Sequence, residues 1–371
     1  MNDIRTGLSY GDVLLVPKRS PVDSRSDVDL STTLTPNVEL ETPLVSAAMD
    51  TVTEAELAIE LSRAGGIGVL HRFLEPDEQA AQVEEVGAAG EQVGAAVGID
   101  EDYVARSEAL VDSGVDALVI DVAHGHMERT IDAVETLAET FPETDLVAGN
   151  VATPEGVEDL AAAGADCVKV GIGPGSHCTT RKVAGAGVPQ LTAVDDCADA
   201  AEEAGVTICA DGGIRTSGDA VKALMAGADT VMLGSLFAGT REAPGAVVEV
   251  DGARYKRARG MATTAAAEER DDKEENVRAD EGVESLTPYK GEVGDVVQEF
   301  CAGIQSGLSY CGGHTITDAR ANAEFVRVAA SAKEREGFHA DHDWEGVSVD
   351  SEATESTTDG SSTTGTAQSD D

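Results

Sequence analysis

The chain has 371 residues, 41% of them hydrophobic and 3% aromatic, and 26 Lys and Arg stand against 70 Asp and Glu, a formal charge of −44. That length suits one large α/β domain with a real core, while the acidity argues against binding nucleic acid through its phosphates or an anionic membrane surface. No apolar run reaches the roughly 18 residues of a membrane span, the start MNDIRTGLSYGDVLL has no secretion-signal pattern, and six Cys without a Cys-x-x-Cys pair suggest neither a disulfide framework nor zinc, so a reduced, cytoplasmic protein is expected.

In chain order, a first apolar run at 43–49 (PLVSAAM) is followed by a helical pattern at 53–64 (TEAELAIELSRA) that opens on a candidate cap and stops at Gly65. Further runs lie at 67–70, 93–97, 117–122 and 145–151, then a helix at 153–163 ending at Gly164, and a run at 167–172. The series closes with runs at 207–211 and 230–235 around a helix at 217–226 that ends at Gly227. Continuous rather than alternating apolar runs fit strands buried on both faces. The phrase A-G-A-D-x-V joins helix to strand at 163–168 and again at 226–231. Eight such units predict an α/β fold, a parallel (β/α)8 TIM barrel, with a doubly wound sheet as the alternative. The barrel is expected over residues 1–336, with a polar, mobile flap at about 262–287 that carries eight acids between positions 268 and 281. Residues 337–371 are Ser/Thr-rich and acidic, the composition of a disordered tail. Only nine acids lie in 341–371, so most of the acid excess is spread over the folded part, as suits a halophilic source where salt screens self-repulsion.

In a barrel the chemistry belongs at the C-terminal ends of the strands. The richest end is KVGIGPGSHCTTR at 169–181, where Gly171, Gly173 and Gly175 free the backbone, Ser176 offers a hydroxyl to a phosphate, and Cys178 is either a loop nucleophile or an ordinary loop thiol. The other five Cys read as core or helix-face residues. ADGGIR at 210–215 and LGS at 233–235 are glycine turns after the seventh and eighth strands, the usual phosphate cradle of the fold, with Asp211 placed to take ribose hydroxyls. Flavin-dependent hydroxyacid oxidases share such turns. Asp121 ends the fourth strand and Asn150 the fifth, where an acid and an amide can orient a nicotinamide or a base. The seven His show no ligand spacing, so no catalytic transition metal is expected.

These segments, with SAAMDTVTE at 46–54, VMLGSLFAGT at 231–240 and PYKG at 288–291, resemble the IMP dehydrogenase and GMP reductase superfamily. The resemblance implies that Cys178 attacks C2 of a purine nucleotide, where a nicotinamide exchanges hydride, and that Thr180 assists proton transfer. It implies phosphate contacts from Ser176, Gly213, Gly234 and Ser235, a ribose contact from Asp211, and base contacts from Met49 and Met261. Asp121 and Asn150 match positions near the nicotinamide. The carbonyls of Gly171, Gly173 and Cys178 match a monovalent-cation loop, usually K+. A homotetramer, or an octamer, is the implied assembly.

The branch is read from the flap. In the dehydrogenases an Arg-Tyr pair there activates water; here residues 260–291 contain none, and Arg270 precedes Asp271. Arg278-Ala-Asp-Glu281-Gly282 resembles the reductase R-x-x-E-G signature, which implies that Arg278 contacts the guanine nucleotide and that Glu281 joins Thr180 in protonating departing ammonia. From the residues alone, Arg278 and Glu281 also suit a solvated face of a charged loop. The short link between strands two and three, without the usual regulatory modules, points the same way. His71-Arg72-Phe73, DVAHGH and the stretch 331–336 resemble the dehydrogenases instead, and Ala258 stands where those carry a phosphate-holding Tyr. The expected activity is NADPH-dependent reduction of GMP to IMP and ammonia, with NAD-dependent oxidation of IMP as the alternative.

Overall fold

Small and β-branched residues fill the eight runs, and they pair as parallel strands buried on both sides. The computed structural model describes residues 4–99, 102–176, 178–259 and 284–335. The strands are β1 (Leu44–Ser46), β2 (Gly68–Leu70), β3 (Val93–Val97), β4 (Ala117–Asp121), β5 (Asp145–Val151), β6 (Cys167–Val170), β7 (Thr207–Asp211) and β8 (Thr230–Leu233). They form one sheet in the order β1-β8-β7-β6-β5-β4-β3-β2. A parallel bridge between Val45 and Ile67, with the Ser46 N–H donating to the Ile67 carbonyl at 3.0 Å, brings β1 to β2 and closes the sheet into a (β/α)8 barrel rather than an open doubly wound one.

The helices are α1 (Ala55–Arg63), α2 (Pro76–Ala88), α3 (Tyr103–Asp112), α4 (Glu128–Thr140), α5 (Pro154–Ala162), α6 (Gln190–Ala204), α7 (Ser217–Met225) and α8 (Val293–Cys311). Thr153 and Thr216 cap α5 and α7, the latter in a capping box with Asp219. Thr53 does not cap α1. Its hydroxyl is taken by Ser46 Oγ and the Ala47 carbonyl, both at 2.7 Å, and Glu54 occupies the cap position without a side-chain bond. No described helix is long and apolar enough to cross a membrane.

Alternate residues of each strand face opposite layers. Leu118 and Ile120 of β4 pack outward on the helices, while Ala117 and Val119 join Val147, Cys167, Cys209 and Met232 inside the barrel. The antiparallel hairpin Thr32–Thr35/Val38–Leu40, not anticipated from the sequence, plugs the N-terminal end of this interior with Leu34, Val38 and Leu40. Polar contacts seat it: Asn37 Nδ2 donates to Asp145 Oδ1 at 2.7 Å and the Asn37 N–H to Asp145 Oδ2 at 2.9 Å.

The repeated A-G-A-D-x-V phrase has a structural reason at this same end. Asp166 and Asp229 each accept an N–H near the start of a neighbouring strand, from Leu146 at 2.8 Å and Ile208 at 2.9 Å, and Asp116 does the same for Val93 at 2.7 Å. Gly164 and Gly227 supply the positive φ, +106° and +119°, that turns each helix into the next strand.

After β8 an antiparallel three-stranded sheet, Val248–Val250, Ala253–Arg259 and Glu284–Pro288, departs from the barrel pattern. It too was missed, and its last strand begins inside the stretch read as a strandless excursion; residues 260–283 lie outside the described residues. Lys256 on the middle strand is 1% exposed and donates to the Thr240 and Arg241 carbonyls at 3.0 and 3.1 Å and to the Ala243 carbonyl. It fastens the sheet to the chain that leaves β8. By contacts the chain divides into Met1–Arg327 and Val328–Asp371, the second unit containing the helix Ala330–Arg335. The acidic stretch 337–371 lies outside the described residues.

Candidate active site

The C-terminal ends of β4, β5, β6 and β7 hold a buried charge cluster. By strand parity Asp121, Lys169 and Asp211 all point into the barrel. Asn150 would have the opposite parity, but a register shift between Gly149 and Val151 inserts it as an extra residue and re-aims it. Gly149 makes room, because a Cβ there would lie 2.6 Å from Lys169 Cβ. Lys169, 1% exposed, donates to Asp121 Oδ1 at 2.7 Å, to Asp211 Oδ2 at 3.0 Å and to Asn150 Oδ1. Burial alone would lower its pKa, yet the two carboxylates outweigh that and raise it. Burial pushes Asp121 up in turn, and Lys169 brings it net below the ordinary carboxylate range. Lys169 and Asp121 are therefore both charged near neutral pH. Asn150 spends its amide on Asp211 Oδ2 and the Gly171 carbonyl, both at 2.8 Å.

Lys169 was not singled out in the sequence. The signal was there: a lone Lys inside the apolar run CVKV cannot be buried without anionic partners.

Cys178 belongs to the loop that follows β6. It is exposed, and its Sγ lies 3.1 Å from Thr180 Oγ1. The other five Cys are buried or half-buried, as expected, and burial pushes Cys301 up to about 11, Cys197 and Cys209 up to about 12, and Cys167 and Cys311 upward as well. Cys178 is thus the one thiol open to a substrate, next to a hydroxyl that can pass a proton.

Glycines bring this loop onto the β7 turn. A Cβ on Gly171 would lie 2.1 Å from the Asp211 carbonyl, and one on Gly212 would lie 2.9 Å from Pro174 Cγ and 3.0 Å from the Gly175 N. Gly212 and Gly213 take φ of +90° and +78°, turning the chain sharply beyond Asp211. Gln190, at the start of α6, donates from Nε2 to the Val170 carbonyl at 2.7 Å and the Asp211 carbonyl at 3.2 Å, tying the ends of β6 and β7 together. Beyond β8, a Cβ on Gly234 would lie 3.2 Å from Met49 Sδ, which brings the β1 and β8 ends together. Lys290 of the PYKG segment donates to the Ser235 and Leu236 carbonyls at 3.2 and 3.1 Å, and burial lowers its pKa.

Of the predicted residues, Asp121, Asn150, Asp211 and Gly171 meet through Lys169 and its partners. Cys178 and Thr180 adjoin each other, Ser176 is exposed on the same loop, and Met49, Gly234 and Ser235 share the β1/β8 corner. Met261, Arg278 and Glu281 lie outside the described residues. Ala258 is 1% exposed, so that position presents a core methyl. Sequence reasoning also missed Asp50, which accepts Arg259 Nε at 2.8 Å and Arg259 Nη2 and so ties the β1 end to the strand Ala253–Arg259. It missed the role of His71 as well. The Phe73 N–H donates to His71 Nδ1 at 3.2 Å, which leaves the proton on Nε2, facing Glu54 Oε1 at 3.5 Å.

The model of the IMP dehydrogenase / GMP reductase domain matches residues 7–339. An inosine-5'-monophosphate dehydrogenase of Nitrosopumilus maritimus is 37% identical over 88% of this chain and 97% of its own length, and one of Borreliella burgdorferi is 39% identical over 88% and 95%. A GMP reductase of Leishmania donovani is 35% identical over 90% and 96%. The chain belongs to the IMP dehydrogenase / GMP reductase family, whose members are oxidoreductases acting on purine nucleotides with a nicotinamide cofactor.

Proposed function

We propose that this chain reduces GMP to IMP and ammonia with NADPH. The observation that carries the reading is in the segment 260–291, which lacks the Arg-Tyr pair needed to activate water and contains Arg278-Ala-Asp-Glu281-Gly282. Cys178 Sγ adds to C2 of the guanine, and the exocyclic amine departs as ammonia with protons supplied through Thr180 and Glu281. This leaves a C2–S bond to the purine. A bound reduced nicotinamide supplies the hydride to that carbon. Breaking the C2–S bond then returns Cys178 as the thiolate and releases IMP.

The charge cluster supports the binding half of this reading. Asp211 keeps oxygens for ribose hydroxyls while Lys169 and Asn150 hold it in place. Asp121, half-buried and held ionised by Lys169, is a fixed acceptor on the opposite flank for the nicotinamide side. Ser176, Gly213, Gly234 and Ser235 would take the phosphate, Met49 and Met261 the base. The carbonyls of Gly171, Gly173 and Cys178 would hold a monovalent cation such as K+. The fit is reasonable: Gly171 offers its carbonyl one lone pair beyond the bond from Asn150, and neutral backbone carbonyls suit an alkali ion. A cytoplasmic homotetramer working in concentrated salt completes the proposal, the last from the charge of −44.

Oxidation of IMP by NAD+ is the second reading, favoured by the dehydrogenase names of two relatives above and by His71-Arg72-Phe73. A missing insert does not separate the two. The alignments with the N. maritimus dehydrogenase and the L. donovani reductase run over 460 and 476 positions, both more than the 371 of this chain. Nicotinamide absorbance in concentrated KCl decides. Its loss with GMP and NADPH, abolished by Cys178→Ser, is the expected result; a gain with IMP and NAD+ and no turnover of GMP would make the chain a dehydrogenase.

A further inference from the structure

The loop carrying Cys178 is closed by one of its own side chains. Arg181 lies three residues beyond the cysteine, in the four-residue helical turn Thr180–Val183. Its Nε donates to the Ile172 carbonyl at 3.2 Å and its Nη2 to the Val188 carbonyl at 2.5 Å. Those carbonyls stand at the two ends of the loop, and the arginine stem fills the gap between them. A Cβ on Gly173, φ +74°, would lie 2.7 Å from Arg181 Cγ. One on Gly187, φ +144°, would lie 2.9 Å from Arg181 Nε and 2.8 Å from the Ile172 carbonyl. Two glycines with positive φ thus shape the loop around one guanidinium. Gln190 makes a second tie closer to the barrel, to the Val170 carbonyl at 2.7 Å.

We infer that Arg181 is a positioning residue: by bridging the Ile172 and Val188 carbonyls it holds the loop that presents Cys178 and Thr180 to the substrate. The inference rests on the reading of Cys178 as the nucleophile. An open loop of this length would sample many shapes, and misplacing a reacting group by about 1 Å costs on the order of 10²-fold in rate. Arg181 reaches the two carbonyls with two different nitrogens of one rigid fork, Nε and Nη2; the compact ammonium of lysine, a point charge on a flexible stem, does not reproduce that spread. Arg181 and Cys178 also feel each other electrostatically: burial lowers the guanidinium, and the thiol works against that.

The test uses the full-length protein with Arg181→Ala and Arg181→Lys. The expected result is a fall in kcat on the order of 10²-fold for Arg181→Ala, with KM for the nucleotide moving far less. Arg181→Lys should remain impaired, and millimolar guanidinium should restore part of the Arg181→Ala rate where equal urea does not. Amide hydrogen exchange of residues 172–188 should quicken by about tenfold, the equivalent of two lost hydrogen bonds of ordinary net strength. A kcat within twofold of wild type, full activity in Arg181→Lys, or a rate loss matched by loss of folded protein would each overturn the inference. If the wild type turns over neither GMP nor IMP, the proposed activity fails instead; unchanged exchange in Arg181→Ala would then still reject the clamp.

Discussion

At the N-terminal end of the barrel, Asp116, Asp166 and Asp229 each accept a single backbone N–H from a neighbouring strand, and burial leaves all three carboxyls raised, Asp229 even with Arg320 beside it. At the C-terminal end Asp121 is half-buried as well, yet its carboxyl is lowered, because Lys169 donates to it at 2.7 Å. A backbone dipole satisfies the geometry of a desolvated carboxylate without repaying its desolvation, and Arg320 at 3.4 Å from Asp229 does not repay it either; the closer, buried cation Lys169 does. One end therefore uses acids as strand caps under an apolar plug, and the other keeps them ionised beside an exposed thiol. Holding the fold and, on the proposed reading, performing the chemistry fall to opposite mouths of one barrel.

Five substitutions sharpen or break that contrast. Cys178→Ser should remove turnover altogether while urea unfolding stays within about 0.5 kcal/mol of wild type, as for an exposed site. A measurable residual rate through serine would dethrone the thiol. Lys169→Met leaves two half-buried carboxylates without their cation, and unfolding free energy should drop by no more than the about 3–5 kcal/mol that a broken buried pair costs, together with nucleotide binding. If the variant unfolds at the wild-type urea midpoint, the cluster is not held as described. Leu34→Ala at the plug should cost about 2–5 kcal/mol but leave kcat per folded molecule unchanged; a lowered kcat would mean the two ends are coupled.

The smallest effect concerns pH. Asp166→Asn keeps an acceptor for the Leu146 N–H and removes a charge that burial penalises, so at neutral pH it should be neutral or slightly stabilising. Its folded pKa is raised, so acidification protonates the wild-type group first in the folded state and the gain shrinks as pH falls. Asp121 has the opposite sign. Its folded pKa is lowered, so its contribution is present above the ordinary value of about 3.9 and is lost as pH falls through the folded value. Asp121→Asn should therefore be destabilising at neutral pH, by an amount that vanishes in acid. Parallel urea titrations of the two variants would expose any error in either sign.

The sequence by itself determined the barrel: eight continuous apolar runs, the glycines that end the helices, and the A-G-A-D-x-V joints all reflect local rules of period, capping and turn. It also marked Cys178 on its glycine-rich loop and Asp211 ahead of two glycines, because such patterns are recognisable without knowing what they face, while Thr180 came from the family resemblance. Tertiary structure decided the rest. Lys169 and Asn150 acquire their roles only when β4, β5, β6 and β7 stand side by side and a register shift re-aims one amide. The hairpin plug and the sheet anchored by Lys256 were hidden because most of their strands are only three to five residues long. Arg181 carried no assignment in the sequence, because its two partners, the Ile172 and Val188 carbonyls, come together around it only in the fold. Patterning is local and survives in the string of residues, whereas the pairing of a buried charge depends on neighbours that only the closed barrel supplies.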